Sequence, residues 1–248
     1  MQAIKIPHHG RVIDGTEYRP EGDGRFPIVI FSHGFNGHQS DFGHMTGLLA
    51  ENGIGSFCFN FCGGGTRDTS GFPTTKMSLI TEREDLLAVL DEVRSWGWVD
   101  TGRIYLFGSS QGGMVSALAA ERRGEQIKSM ILQYPAFCIA DDWQKRFPNK
   151  ADIPEQISLW DVMLGRAYFE AVRDFRIEEQ TGKFDKPVLI MHGTEDAVVP
   201  ISYSERAAGR YPNARLEIFT GEGHGFTPDG DRRAAEMLLA FIQEQEKV

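Results

Sequence analysis

Six short apolar runs, rich in β-branched and aromatic residues, recur along the chain with helix-like stretches between them. They are Pro27 to Ser32 (PIVIFS), Ile54 to Phe61 (IGSFCFNF), Arg103 to Gly108 (RIYLFG), Lys128 to Tyr134 (KSMILQY), Pro187 to His192 (PVLIMH) and Arg215 to Thr220 (RLEIFT). Their hydrophobicity is continuous rather than alternating, which suits strands buried on both faces of a largely parallel sheet. Between them, Ser40 precedes a run that stops at Gly53, and Thr81 with Glu84 reads as a capping box before Leu86 and Leu90. A last amphipathic helix starts near Asp231. Strand alternating with helix predicts a three-layer α/β/α domain, preceded by an antiparallel hairpin over residues 3 to 19 with Asp14-Gly15 as its turn.

One interval breaks the alternation. From Phe137 to about Phe184, after the sixth strand, no sheet strand is visible and Pro148, Pro154, Gly165 and Gly182 punctuate the chain. Such a stretch is too long for an ordinary connection, so residues 137 to 184 are expected to be an insertion, a lid, within a single domain covering 1 to 248.

The balance of 35 acidic against 26 basic residues gives a net charge of −9. With no dense basic block, nucleic acid and anionic lipid are poor partners, and a small neutral substrate fits better. No apolar run is long enough to span a bilayer, and Met1 to Gly10 is too polar for a secretory core, so a cytoplasmic location is expected. The oligomeric state is left open, a homodimer included. Cys58, Cys62 and Cys138 match no metal or redox spacing, and Cys58 and Cys62, in or just after an apolar run, read as small hydrophobes.

Chemistry enters after RIYLFG, where Gly108-Ser109-Ser110-Gln111-Gly112-Gly113 leads into the helix-forming run Met114 to Ala120. This is G-x-S-x-G at a strand-to-helix turn. Ser110 has Gly two residues away on both sides, whereas Ser109 would need Gly where Phe107 stands, so Ser110 is the candidate nucleophile. A serine hydroxyl needs a base oriented by a carboxylate. PVLIMH is followed by Gly193-Thr194-Glu195-Asp196 and then Val198-Val199-Pro200, and RLEIFT by Gly221-Glu222-Gly223-His224-Gly225. His224 is the candidate base and Asp196 the acid, with Glu195 as its rival. Two backbone N–H groups must meet the developing oxyanion, each commonly worth ~3 to 4 kcal/mol. Gln111, next to the nucleophile, is one, and Phe35 in His33-Gly34-Phe35-Asn36-Gly37, after PIVIFS, is the other.

In HGFNG, GSSQGG, HGTEDAVVP and GEGHGF the chain resembles the α/β-hydrolases, and among them the small bacterial cinnamoyl or feruloyl esterases, over nearly its whole length. The resemblance implies an α/β-hydrolase fold, a serine esterase that releases hydroxycinnamic acids without cofactor or metal, and a lid over the acyl pocket. A phenolic acyl group wants a polar partner at the far end of that pocket. Polar lid residues of such esterases correspond by order to Asp142 and Tyr168, with Asp141 an equally spaced rival, while Trp160 is the expected ring wall. Most of the seven aromatics from Phe137 to Phe175 (Phe137, Trp143, Phe147, Trp160, Tyr168, Phe169 and Phe175) should form the lid's own core, leaving two or three for the pocket.

Other readings stay beside this one. A short-chain aliphatic esterase or monoacylglycerol lipase would share the catalytic residues, and a non-catalytic ligand-binding relative would share the fold. An oligopeptidase-like hydrolase would be expected to carry a propeller for which this length leaves no room. A dehalogenase-type relative needs an Asp where Ser110 stands. His33, His38 and His44 match no zinc spacing, so His33 is read as support for the Phe35 loop and the other two as surface or partly buried. Gly63 to Gly65 lacks the ending of a phosphate loop and is expected to be a flexible rim segment, with Arg67 and Asp68 as a local ion pair.

Overall fold

The computed structural model describes residues 1–247. The chain begins with an antiparallel hairpin, β1 (Gln2–His8) and β2 (Arg11–Tyr18), then β3 (Phe26–Ser32), α1 (Gly43–Glu51), β4 (Gly55–Phe59), α2 (Leu79–Ser95), β5 (Val99–Ser109), α3 (Gln111–Arg123) and β6 (Ser129–Gln133). An excursion follows, containing α4 (Ile139–Arg146), a separate hairpin of β7 (Gln156–Leu159) and β8 (Val162–Gly165), α5 (Arg166–Glu170) and α6 (Ile177–Gln180). The chain then returns through β9 (Val188–Gly193), α7 (Ser202–Ala208), β10 (Ala214–Phe219) and α8 (Pro228–Gln245).

Eight strands form one sheet in the order β1-β2-β4-β3-β5-β6-β9-β10. From β4 to β10 across the sheet all pairs are parallel, and only the first hairpin is antiparallel, as β2 is to β4. Alternate residues of one strand serve opposite layers. Ile28 and Ile30 of β3 pack with Leu86 and Leu90 of α2 and Val115 of α3, whereas Val29 and Phe31 pack with Leu49 of α1 and Leu238 and Phe241 of α8. Both faces are therefore covered, which is why these strands read as unbroken apolar runs. No described helix is long and apolar enough to cross a membrane.

Three local expectations are corrected. The first hairpin turns at His9-Gly10, both at positive φ, and not at Asp14-Gly15, which lie within β2. Gly15 is there for a different reason: a Cβ at this position would fall 2.2 Å from the Phe57 ring that crosses it from β4. The cap of α2 is Ser78, which exchanges hydrogen bonds with Thr81, so Thr81 is the third helical residue rather than the cap. Arg67 pairs with Asp41, not Asp68, whose carboxylate instead accepts the Gly63 N–H and the Ser70 hydroxyl.

Candidate active site

The turn from β5 into α3 places Ser110 at φ 52° and ψ −120°, a region costly for any residue with a Cβ. The surrounding chain over-determines this conformation. The Ser110 N–H donates to the Gln133 carbonyl of β6, and its carbonyl accepts from Gly113 and Ala136. The flanking glycines allow the close approach. A Cβ on Gly108 would sit 2.3 Å from the Gly112 carbonyl oxygen, and one on Gly112 would sit 2.3 Å from that of Ser32.

Loops after two further strands complete a hydrogen-bonded chain. Ser110 Oγ is 2.9 Å from His224 Nε2, and His224 Nδ1 is 2.8 Å from Asp196 Oδ2. The Asp196 side chain is fully buried. Burial by itself would push its carboxyl up, but hydrogen bonds from His192, His224 and the Val199 N–H outweigh that and hold it well below the usual carboxylate range. Asp196 is therefore an anion throughout the pH range in which a histidine base operates. Glu195 is exposed and enters only through its backbone N–H, which donates to the Glu222 carbonyl. The Tyr134 ring, at φ 37°, lies 4.8 Å from the His224 ring and covers it.

Among the described residues, the N–H groups of Phe35 and Gln111 have no hydrogen-bond acceptor, while their neighbours Asn36 and Gly37 are both paired. Gln111 opens the 13-residue helix α3, whose N-terminal dipole also favours negative charge beside Ser110. Gly34 lets the Phe35 loop approach Ser110 closely, since a Cβ there would lie only 3.1 Å from Ser110 Cβ. His33 supports that loop as expected. Its buried ring bridges the Gly34 carbonyl and the Phe61 N–H, which fixes the proton on Nδ1, and desolvation lowers its pKa to about 4 despite the Gly34 bond. The loop has a second support that the sequence reading missed. Gly64 O accepts the Asn36 N–H, and Asn36 Oδ1 accepts from Thr66, so Gly63 to Gly65 is a pinned buttress rather than a loose rim.

Ser110 opens onto a cavity of about 330 Å³, lined by Phe35, Gln111 and Ala136 and by Cys138, Ile139, Asp142, Trp143, Leu159, Trp160 and Tyr168 of the excursion. Three of the seven aromatics from Phe137 to Phe175 line it, namely Trp143, Trp160 and Tyr168, while Phe137, Phe147 and Phe169 are buried in the core. Trp160 sits at the turn between β7 and β8, 63% exposed, with its ring edge-on to Phe35 at 5.7 Å, so it borders the mouth rather than walling the depth. Asp142 lines the cavity, whereas its rival Asp141 accepts the Tyr203 hydroxyl of α7. Tyr168 also lines it, but its hydroxyl donates to Gln111 Oε1 at 2.6 Å, which leaves only a lone pair for a ligand. The Gln111 amide in turn donates to the buried Glu82 of α2. Burial pushes the Glu82 carboxyl well up, with the Gln111 bond opposing it.

This relay ties the excursion to the residue beside Ser110. Tyr168→Phe is expected to lower stability by about 1 to 2 kcal/mol, because it leaves Gln111 Oε1 buried without its donor. A urea melt reads this, and an unchanged midpoint would mean that the bond does not hold the excursion in place.

The chain is similar to known proteins in sequence and in fold. A sequence profile of the prolyl oligopeptidase family matches residues 40–247. The putative carbamate hydrolase RutD of Caulobacter vibrioides is 32% identical over 46% of this chain and 41% of its own, so the chain spans less than half the length of that relative. YfhR of Salmonella typhimurium, itself uncharacterized, is 28% identical over 95% of this chain and 77% of its own. The structure of Est1E from Butyrivibrio proteoclasticus with ferulic acid bound is 27% identical, covers 99% of this chain and all of its own, and superposes with a TM-score of 0.90.

Proposed function

This chain belongs to the prolyl oligopeptidase family and is a hydrolase of the α/β-hydrolase fold, and from that premise we propose that it is a serine carboxylester hydrolase selective for hydroxycinnamoyl-type acyl groups. The observation that carries the proposal is the unbroken chain Ser110–His224–Asp196 opening onto an aromatic cavity beside two unpaired amides. In this reading His224 Nε2 takes the Ser110 proton as Oγ attacks the ester carbonyl. The Phe35 and Gln111 amides receive the oxyanion. The alcohol leaves with the proton from His224, and water, deprotonated by the same nitrogen, cleaves the acyl-enzyme. Asp196 keeps the imidazole in the tautomer with its proton on Nδ1 and stabilises the charged form.

Family membership alone does not choose ester over amide, and the match to the prolyl oligopeptidase family overturns the expectation that chain length disfavours an oligopeptidase-like relative. The cavity supports the acyl preference. Its lining is apolar and aromatic with no basic side chain, and Asp142 is its single carboxylate, suited to accept a ring hydroxyl. The excursion acts as the lid that shapes this pocket, and the likeness to Est1E, solved with ferulic acid, supports the same reading.

The test compares kcat/KM for methyl ferulate with that for p-nitrophenyl octanoate. A preference of at least about tenfold for the ferulate ester is expected, a difference of ~1.4 kcal/mol in transition-state binding. A large preference for the octanoyl chain would replace this reading with an aliphatic esterase or monoacylglycerol lipase.

A further inference from the structure

Asp196 receives more donors than a triad needs. Its Oδ1 accepts the N–H groups of Val198 and Val199, at 2.9 and 2.8 Å. Its Oδ2 accepts His224 Nδ1 at 2.8 Å and lies 3.2 Å from Nε2 of a second imidazole, His192. His192, near the end of β9, is completely buried. Its Nε2 also faces the Val199 carbonyl oxygen at 3.0 Å. Both neighbours of Nε2 are acceptors only, so this nitrogen carries a proton, and Nδ1 faces the Ser204 hydroxyl of α7 at 2.7 Å.

We infer that His192 is a positioning residue for the reaction: its Nε2–H, shared between Asp196 and Val199, holds the acid in place and sets how strongly Asp196 grips His224. The inference rests on the ester-hydrolase reading of the site. The physical reason is competition on one oxygen. A carboxylate oxygen that accepts two N–H groups has less charge to offer each, so the protonated form of His224 is favoured less than it would be with His192 removed. The other titratable groups facing Asp196 are Tyr134 and Cys138, on the segment after β6, and burial pushes both far up, so neither changes charge in the relevant range.

The experiment measures p-nitrophenyl acetate turnover against pH for the wild type, His192→Asn and His192→Gln, with fluorophosphonate labelling of Ser110 as an independent readout. Asn places its oxygen near the position of Nδ1 and loses the donor to Asp196, whereas Gln places its amide nitrogen near that of Nε2 and keeps it. His192→Asn is expected to lower kcat about tenfold with KM changed less than about twofold, and to move the acid limb of kcat/KM upward by roughly half to one pH unit. His192→Gln is expected to return that limb close to the wild-type position. A merely structural histidine would lower activity or stability without moving the limb, so an unmoved limb in His192→Asn, or equal shifts in both variants, overturns the inference. If His192→Asn does not fold, Ser204→Ala takes its place. Freeing the ring to rotate should give a smaller upward shift, and an unmoved limb there overturns the inference equally. A wild type that is neither labelled nor active would instead overturn the ester-hydrolase reading.

Discussion

Ser110→Ala is expected to reduce kcat/KM for both p-nitrophenyl acetate and methyl ferulate by at least about a thousandfold, with the fold intact. The magnitude follows from the mechanism. Without Oγ there is no acyl-enzyme, and what remains is whatever the two amides and the cavity contribute to direct attack by water. The serine hydroxyl's one side-chain partner is His224 Nε2, on a ring that keeps some solvent access, so its loss leaves no deeply buried orphan. Alanine meets the same backbone strain at φ 52° that serine does, and the bonds from Gln133, Gly113 and Ala136 that hold the turn are all to backbone. The melting temperature should therefore stay within a few degrees. Activity retained within tenfold would remove Ser110 as the nucleophile, and loss of activity accompanied by unfolding would remove the claim that the turn is held by backbone alone.

The second large effect belongs to Gly112→Ala. The added methyl carbon would lie 2.3 Å from Ser32 O and 2.4 Å from His33 O, both backbone atoms that cannot rotate away. The end of β3 must then separate from the first turn of α3. Overpacking of this kind costs about 3 kcal/mol, or roughly 6 to 12 °C in melting temperature for a chain of this size. These two elements carry the Phe35 and Gln111 amides. Spreading them should lower kcat for every ester alike, by ~100-fold if one donor leaves the oxyanion's reach. Calorimetry and steady-state kinetics on two esters check both parts. A variant as stable and active as the wild type would mean that the turn yields more readily than its contacts indicate.

The candidate catalytic residues were legible because each demands a local backbone that leaves a mark in the sequence. Ser110 needs glycines at fixed offsets, and His224 sits between Gly223 and Gly225 in a loop that must deliver its ring to one point. The sheet was legible for a similar reason, since burial on both faces requires unbroken apolar runs. Contacts made by side chains across the fold leave no such mark. That Asp142 rather than Asp141 lines the cavity depends on where Tyr203 of α7 lies. That the Tyr168 hydroxyl turns to Gln111 depends on how the excursion docks, and that Gly63 to Gly65 braces Asn36 depends on the packing of two loops. The hairpin turn at His9-Gly10 was obscured by Asp14-Gly15, a stronger turn signal whose glycine answers to the Phe57 ring instead.

The sheet order has a consequence for how such a molecule can change. The proposed nucleophile, acid and base and the two proposed oxyanion amides hang from the ends of β3, β5, β9 and β10, while the stretch between β6 and β9 supplies most of the cavity wall and none of these groups. On the proposed function, reactivity and acyl choice reside in separable stretches of chain, joined at the hydroxyl of Tyr168 and the rings around Phe35. On that reading, substitutions in the wall would redirect the molecule to a new acyl group without disturbing the proton path. Substitutions at the strand ends have no comparable latitude.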